Sequence, residues 1–315
     1  MEKIKIGISS CLLGEKVRYN GDLKLDSYIT DILGKYFEWI PVCPETEYGL
    51  PVPREPMRLV GQADSPRLLT VRTGSDHTEG MLKWTDNRLM ELESRGLCGF
   101  IFKSKSPSCG LKSAKIYNSS GKGMKKGAGF FAGAFMKHFP CIPAAEEEFL
   151  SDPDIRGNFI ERIFVYKRWQ DFIAHGGKLK DLLDFHAEHK LLVMSHSPKY
   201  AKNLGNLSAN RDNYAPEELA EKYINILSDA LKLPATVKNH TNVLQHIAGY
   251  FKKKLSPAQK QELKETIECY LRGQIPLTAP VELINLYVRL YDEPYLKRQV
   301  YLNPHPIELI TRNQK

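Results

Sequence analysis

The sequence predicts an α/β protein, with an N-terminal Rossmann-like parallel sheet and flanking helices followed by an all-α helical bundle. Three observations predict it. Short apolar runs of strand periodicity alternate with helical stretches over the first half of the 315 residues; the turn-rich segment LSDPDIRGN interrupts the alternation; beyond it apolar residues recur at helical spacing alone.

Ile4, Ile6 and Ile8 alternate with Lys3, Lys5 and Gly7, the period of a strand, and Ser9-Ser10-Cys11 follows directly. Tyr28, Ile29, Ile32 and Leu33 mark a short helix, after which residues 37–42 read as a second strand that leaves Cys43 at its end. Thr85 is the expected N-cap of a helix that runs to Arg95 and is closed by Gly96. Residues 99–102 are an apolar third strand, and the loop KSKSPSCG after it carries Cys109. The domain boundary is expected within 148–162, giving an α/β domain over 1–150 and an all-α domain over 160–315. In the latter, Leu179, Leu182, Leu183 and Phe185 lead into Leu191, Leu192 and Met194. Leu219, Tyr223, Leu227 and Leu231 keep helical rhythm after Pro216, and Val243, Leu244, Ile247 and Phe251 form a further stripe before Ser256-Pro257 opens another helix. No apolar run approaches the length of a membrane span.

Strands alternating with helices imply parallel crossovers, and open sheets of this type bind ligands beyond the carboxyl ends of their strands. Cys11, Cys43 and Cys109 all fall there, in loops crowded with glycine, proline and serine. Two readings stand. Cysteine is often a packed apolar residue; three soft thiolates at one edge would instead make a metal site with an open position. The flanking residues favour the second. Cys98 and Cys269 read as packed thiols, and Cys141, in FPCIPAAEE, begins a fourth strand and so belongs to the opposite edge. With six cysteines, no CxxC pair and no signal-peptide pattern, a cytoplasmic protein is expected rather than a disulfide framework.

The segments SSCLLGEKVRYNG, CPETEYGLPVPREP and KSKSPSCG resemble the signatures of the thiouracil desulfidase family, iron-sulfur enzymes that remove sulfur from thiolated pyrimidines. FHAEHKLLVMSHS, NVLQHIAGYFKKKLS, GQIPLTAPVELI and YLNPHP resemble the helical module fused to that enzyme domain in some bacterial members. The resemblance implies a [4Fe-4S] cluster held by Cys11, Cys43 and Cys109, with the fourth iron free for substrate. It also implies the RNA-directed branch, which converts 4-thiouridine in tRNA to uridine in a non-redox desulfuration that releases sulfide.

Such a reaction needs a base for water and a proton donor. Glu45, two residues after Cys43, is the first candidate for the base. Ser104, Ser106 and Ser108 crowd the third cysteine; the resemblance favours Ser106 as proton relay, with Lys103 to stabilise developing negative charge. Arg18, Arg54 and Arg58 are expected either to meet phosphate or a pyrimidine carbonyl, or to form internal ion pairs.

Net charge is +8, from 45 Lys and Arg against 37 Asp and Glu. Residues 151–315 carry 24 of the basic and 19 of the acidic side chains, so about +5 of this surplus falls in the helical part. Lys252, Lys253 and Lys254 beside Tyr250 and Phe251, with Lys167, Arg168 and Trp169, are candidate phosphate contacts and a stacking surface for tRNA; a solvated basic helix face is the alternative. His186, His189, His196, His240 and His246 are expected to make polar contacts rather than a metal site. Two other functions remain compatible with the residues: a desulfidase of free thiouracil-type bases whose helical domain serves oligomerisation, and a non-catalytic metal-containing RNA-binding module.

Overall fold

In the computed structural model, residues 3–62, 65–118, 122–177 and 179–309 are described. They form two compact units, one running to residue 167 and joined by 307–309, the other spanning 168–306.

The first unit contains two four-stranded sheets. One is built from β1 (Ile4–Ser9), β2 (Phe37–Val42), β5 (Gly99–Phe102) and β8 (Ala144–Glu146), in the order β2-β1-β5-β8 with every neighbour parallel. The three strands expected from sequence sit side by side. The second sheet comprises β3 (Met57–Gln62), β4 (Ser65–Thr70), β6 (Ala114–Tyr117) and β7 (Gly123–Gly127), in the order β4-β3-β6-β7, and the sequence reading did not foresee it.

Residues on the parallel sheet alternate between two buried faces. Ile4, Ile6, Ile8, Phe37 and Ile101 pack with Phe159, Ile160 and Ile163 of the long helix α4 (Pro153–Ala174). Ile40, Val42, Phe100 and Phe102 face Leu89 and Leu92 of α2 (Thr78–Glu93), and Phe131 and Phe135 of α3 (Phe130–His138). A remaining short helix, α1, spans Pro44–Glu47 directly after Cys43. β1 is therefore central and buried on both sides. Its Gly7, read as part of a polar face, makes room for a ring: a Cβ there would lie 2.3 Å from Phe100.

Two boundaries differ from expectation. Thr85 is no cap; it lies inside α2, wholly buried, because the helix opens at Thr78, whose backbone N–H donates to the Asp76 carboxylate at 2.9 Å. Gly96 does follow the helix end, with φ +65°. LSDPDIRGN is helical from Pro153 onward, since proline at a helix start sacrifices an N–H that would have had no partner. The division between the units falls within α4, after Lys167.

The second unit is helical: α5 (Leu179–His196), α6 (Pro198–Ala209), α7 (Pro216–Lys232), α8 (Val237–Tyr250), α9 (Pro257–Leu271), α10 (Thr278–Leu290) and the short α11 (Pro294–Lys297). Ser256 caps α9 in a reciprocal capping box with Gln259. Trp169, Phe172, Phe185 and Tyr223 form an aromatic cluster, with the Trp169 and Tyr223 rings stacked 5.3 Å apart. Among the described residues no helix is long and apolar enough to cross a membrane.

Candidate active site

The parallel sheet delivers the three cysteines to one edge. Cys11 lies in the turn Ser10–Leu13 directly after β1, Cys43 follows β2 as the residue before α1, and Cys109 lies in the loop after β5. Because β2, β1 and β5 are adjacent and parallel, all three follow carboxyl ends. The register Ser9 beside Val42, and Ile8 beside Ile101, keeps those ends level. All three thiols are free, Cys11 and Cys109 buried and Cys43 half-buried.

Electrostatics couple them. Burial pushes the Cys11 thiol up to about 12, the Lys103 ammonium pulls it down, and Cys43 and Glu147 raise it again. Burial holds Cys109 well above its ordinary value; a hydrogen bond with the Ser9 hydroxyl lowers it, while Cys11, Cys43 and Glu45 raise it. Cys141 precedes β8, at the end of the sheet opposite these loops, and Cys98 is buried just before β5. Among the described residues no group of three or more His, Cys, Asp and Glu side chains is arranged to hold a metal ion.

Glu45 stands beside this trio in a closed set of partners. Its Oε1 accepts from the buried Ser108 hydroxyl at 2.8 Å, and its Oε2 accepts from Arg54 Nε at 2.8 Å and from Arg54 Nη2. Arg54 also donates to the Val17 carbonyl at 2.7 Å and the Pro51 carbonyl at 3.3 Å. Of the two roles expected for Arg54, the structure therefore builds the internal ion pair, with side-chain exposures of 5% for Arg54 and 14% for Glu45.

The three serines have different duties. Ser104 donates to Glu147 through its N–H at 2.6 Å and its hydroxyl at 3.0 Å, while Ser106 Oγ accepts the N–H groups of Ser108 and Cys109 at 3.2 and 3.0 Å. Only Ser108 touches Glu45. The Lys103 ammonium donates to Glu147 and Ser104, so much of its charge is neutralised within the loop.

Sequence reasoning missed the acidic run that holds this loop. Glu146, Glu147 and Glu148 leave β8, the strand beside β5, at the same carboxyl edge. Glu146 Oε1 accepts the N–H groups of Leu111, Lys112 and Ser113 at 2.6, 3.0 and 3.2 Å and the Ser113 hydroxyl at 2.7 Å; its Oε2 is buried without a partner. Glu147 takes Lys103 and Ser104 at the other end of the loop, and exposed Glu148 pairs with Lys105 at 2.6 Å. From behind, Phe130 and Phe131 at the start of α3 donate to the carbonyls of Pro107 and Ser108 at 2.9 and 3.0 Å. Gly110 permits the tight return, since a Cβ there would lie 2.8 Å from the Ser106 carbonyl oxygen. The cue was present: three glutamates directly after a short apolar strand.

Glu146→Ala is expected to destabilise the first unit by about 3 kcal/mol or more, because each buried donor left without an acceptor costs about 1–3 kcal/mol. Glu146→Gln, which keeps an accepting oxygen, should cost markedly less. Denaturant midpoints of the two variants compare them; equal losses would remove the acceptor argument.

The remaining expected residues are dispersed. Arg18 is close enough to Cys11 to lower its thiol pKa. Arg58 lies on β3 in the second sheet, its guanidinium 5.9 Å from the Tyr117 ring centre. Lys252, Lys253 and Lys254 belong to the helical unit and are all exposed, and Lys254 pairs with Glu293 at 2.6 Å. Lys252 also lines a cleft of about 310 Å³ with Lys260, Lys264, Leu263 and Ile267.

Two aromatic expectations are corrected. Phe251 is 0% exposed and Trp169 is 5% exposed, so neither offers a ring for base stacking; apolar area is more stable in their cores than in water. Tyr250 is exposed but stacks on Tyr295 at 5.0 Å. The histidines are engaged locally: His186 with Tyr223, His189 with the Phe185 carbonyl, His196 with the Leu233 carbonyl and His240 with Tyr301.

Comparison with known proteins places both halves. A family model described as 2-thiouracil desulfurase matches residues 6–147, and one described as a protein of unknown function, DUF1722, matches residues 190–306. Uncharacterized protein YbgA of Escherichia coli (strain K12) is 33% identical over 151 residues, 46% of this chain and 86% of YbgA. Uncharacterized protein YbbK of Bacillus subtilis (strain 168) is 31% identical over 123 residues, 38% of this chain and 80% of YbbK. A solved structure titled a [4Fe-4S]-dependent thiouracil desulfidase, TudS, is 33% identical, with a TM-score of 0.40, and covers 48% of this chain and 95% of its own. The chain thus belongs to the 2-thiouracil desulfurase family through its α/β unit and carries a DUF1722 helical domain after it.

Proposed function

We propose that the protein removes sulfur from a thiolated pyrimidine, with 4-thiouridine in tRNA as substrate and uridine and sulfide as products. The observation that carries this reading is the delivery of Cys11, Cys43 and Cys109 to one edge of a parallel sheet, with Glu45 held beside Cys109 through Ser108.

The donor set fits a [4Fe-4S] cluster. Its three members are free thiols, the soft ligands such clusters take, and two of them are buried where an unpaired thiolate would be poorly solvated. When bound, a cluster with only three protein ligands supplies an open iron, a Lewis acid toward a thiocarbonyl sulfur.

The chain supplies the proton chemistry. Glu45 accepts the proton of the attacking water at a carboxylate that Arg54 and Ser108 hold in place. Ser106, half-exposed and with its oxygen anchored by two backbone N–H groups, keeps its hydroxyl proton to donate toward the ring or the departing sulfur. Lys103 contributes a partly neutralised positive charge beside Cys11. Arg18 meets the substrate's phosphate or carbonyl oxygen, and Lys252 and Lys253 are phosphate contacts in the helical unit.

Anaerobic reconstitution with iron and sulfide, followed by incubation with tRNA containing 4-thiouridine, tests the proposal. Loss of the thiolated base's near-ultraviolet absorbance, suppressed by added salt, is expected. Turnover of free 2-thiouracil with none on tRNA would replace the RNA substrate by a free base. Intact tRNA binding without desulfuration would leave a non-catalytic module.

A further inference from the structure

The strongest unexplained charge lies in the first unit. From Ser94 to Ala145 the sequence holds no Asp or Glu. Three of the nine basic residues in that stretch, Lys115, Lys125 and Lys126, lie on the second sheet. Lys115 on β6 stands directly opposite Lys126 on β7. Like charges placed opposite one another in a sheet destabilise it. Continuing the register Leu59 beside Ile116 by one residue puts Arg58 of β3 next to Lys115. Three cations thus form a row across three adjacent strands.

The row occupies the outer face of the sheet. Met57, Leu59, Ala114 and Ile116 turn inward to an apolar core, whereas Lys115 and Lys126 are exposed and Arg58 and Tyr117 half-buried. Arg58 Nε has no hydrogen-bond partner, and its guanidinium lies against Tyr117. Among the described residues no acidic side chain pairs with Lys112, Lys115, Lys125 or Lys126, in contrast to Lys103 and Lys105, whose glutamates are described above. Lysine on an edge strand also discourages strand-to-strand pairing. That purpose needs charge on β7 alone, not an opposed pair continued inward to Arg58.

We infer that this face is a docking surface for the phosphate backbone of RNA. It deepens the reading under Proposed function, on which it rests, by placing part of the RNA interface on the α/β unit itself. A row of cations at strand spacing suits successive phosphates of a nucleic-acid backbone. An opposed lysine pair, unfavourable in the free protein, becomes favourable once phosphates lie over it.

The test is the salt dependence of binding by the full-length protein to a fluorescently labelled tRNA transcript. The double variant Lys115→Ala/Lys126→Ala is compared with Lys83→Ala/Lys190→Ala, which removes the same charge elsewhere. Each phosphate that no longer meets a lysine should lower the slope of log affinity against log salt by about 1, so the first variant should lose about 2 and bind on the order of tenfold or more weakly at low salt. The second variant should keep the wild-type slope. Equal slopes for the first variant and wild type, or equal losses in both variants, would overturn this surface while leaving an RNA substrate standing. A wild-type protein that binds anionic phospholipid vesicles but no tRNA would overturn both.

Discussion

Cys109→Ala is expected to yield a folded protein that retains no iron-sulfur chromophore after anaerobic reconstitution and shows no desulfuration. The loop around Cys109 is held independently of its thiol, by Glu146 and Glu147 in front and the start of α3 behind, so the backbone should persist when the sulfur is removed. The substitution takes away one of three soft donors, with no histidine or acidic cluster among the described residues to replace it. Cys141→Ala and Cys98→Ala remove thiols at the amino end of the strands and should reconstitute like wild type. Visible absorption, bound iron and turnover measured together decide the matter. A Cys109→Ala protein with full iron and full chromophore would remove the ligand assignment, whatever its activity.

Glu45→Ala should separate cluster binding from chemistry: reconstitution should proceed, and turnover should fall by about 10²–10⁴-fold, the range that a positioned general base contributes. The residue also has a structural duty, which the experiment must isolate. Removing it leaves the Arg54 guanidinium, 5% exposed, without its carboxylate, and breaking a buried pair from one side typically costs about 3–5 kcal/mol. Glu45→Gln keeps an accepting oxygen for Arg54 and Ser108 but is a far weaker base. Gln and Ala variants with equally low turnover, and with Gln close to wild type in stability, identify the base. Recovery of activity in Glu45→Gln would show that the carboxylate only positions its neighbours.

The cysteine addresses were legible because they depend on local rules. Strand periodicity in residues 4–9 and the apolar runs at 37–42 and 99–102 locate three strand ends, and parallel connection brings their loops to one edge without any side-chain detail. Thr85 misled for the same local reason. It is a good cap in isolation, but the signal that opens α2 lies upstream at Asp76 and Thr78, and choosing between two such starts takes the burial of Thr85 inside the helix. The second sheet was invisible because β3 pairs with β6 across a long stretch of chain, and short mixed strands such as MRLVGQ carry little periodic signal alone.

The residues alone therefore settle the chemistry on offer, namely three soft thiols, a carboxylate beside one of them and an α/β frame that gathers strand ends. Folding alone settled how those groups are occupied. Arg54 could have met a substrate and instead grips Glu45; Phe251 and Trp169 could have stacked on bases and instead fill cores; Glu146 and Glu147, unremarked in the chain, became the clamp on the third cysteine loop. The physical reason is range. Strand and turn preferences act between near neighbours, whereas desolvation of a charge, pairing of a buried carboxylate and burial of a ring are decided only when distant segments close around them.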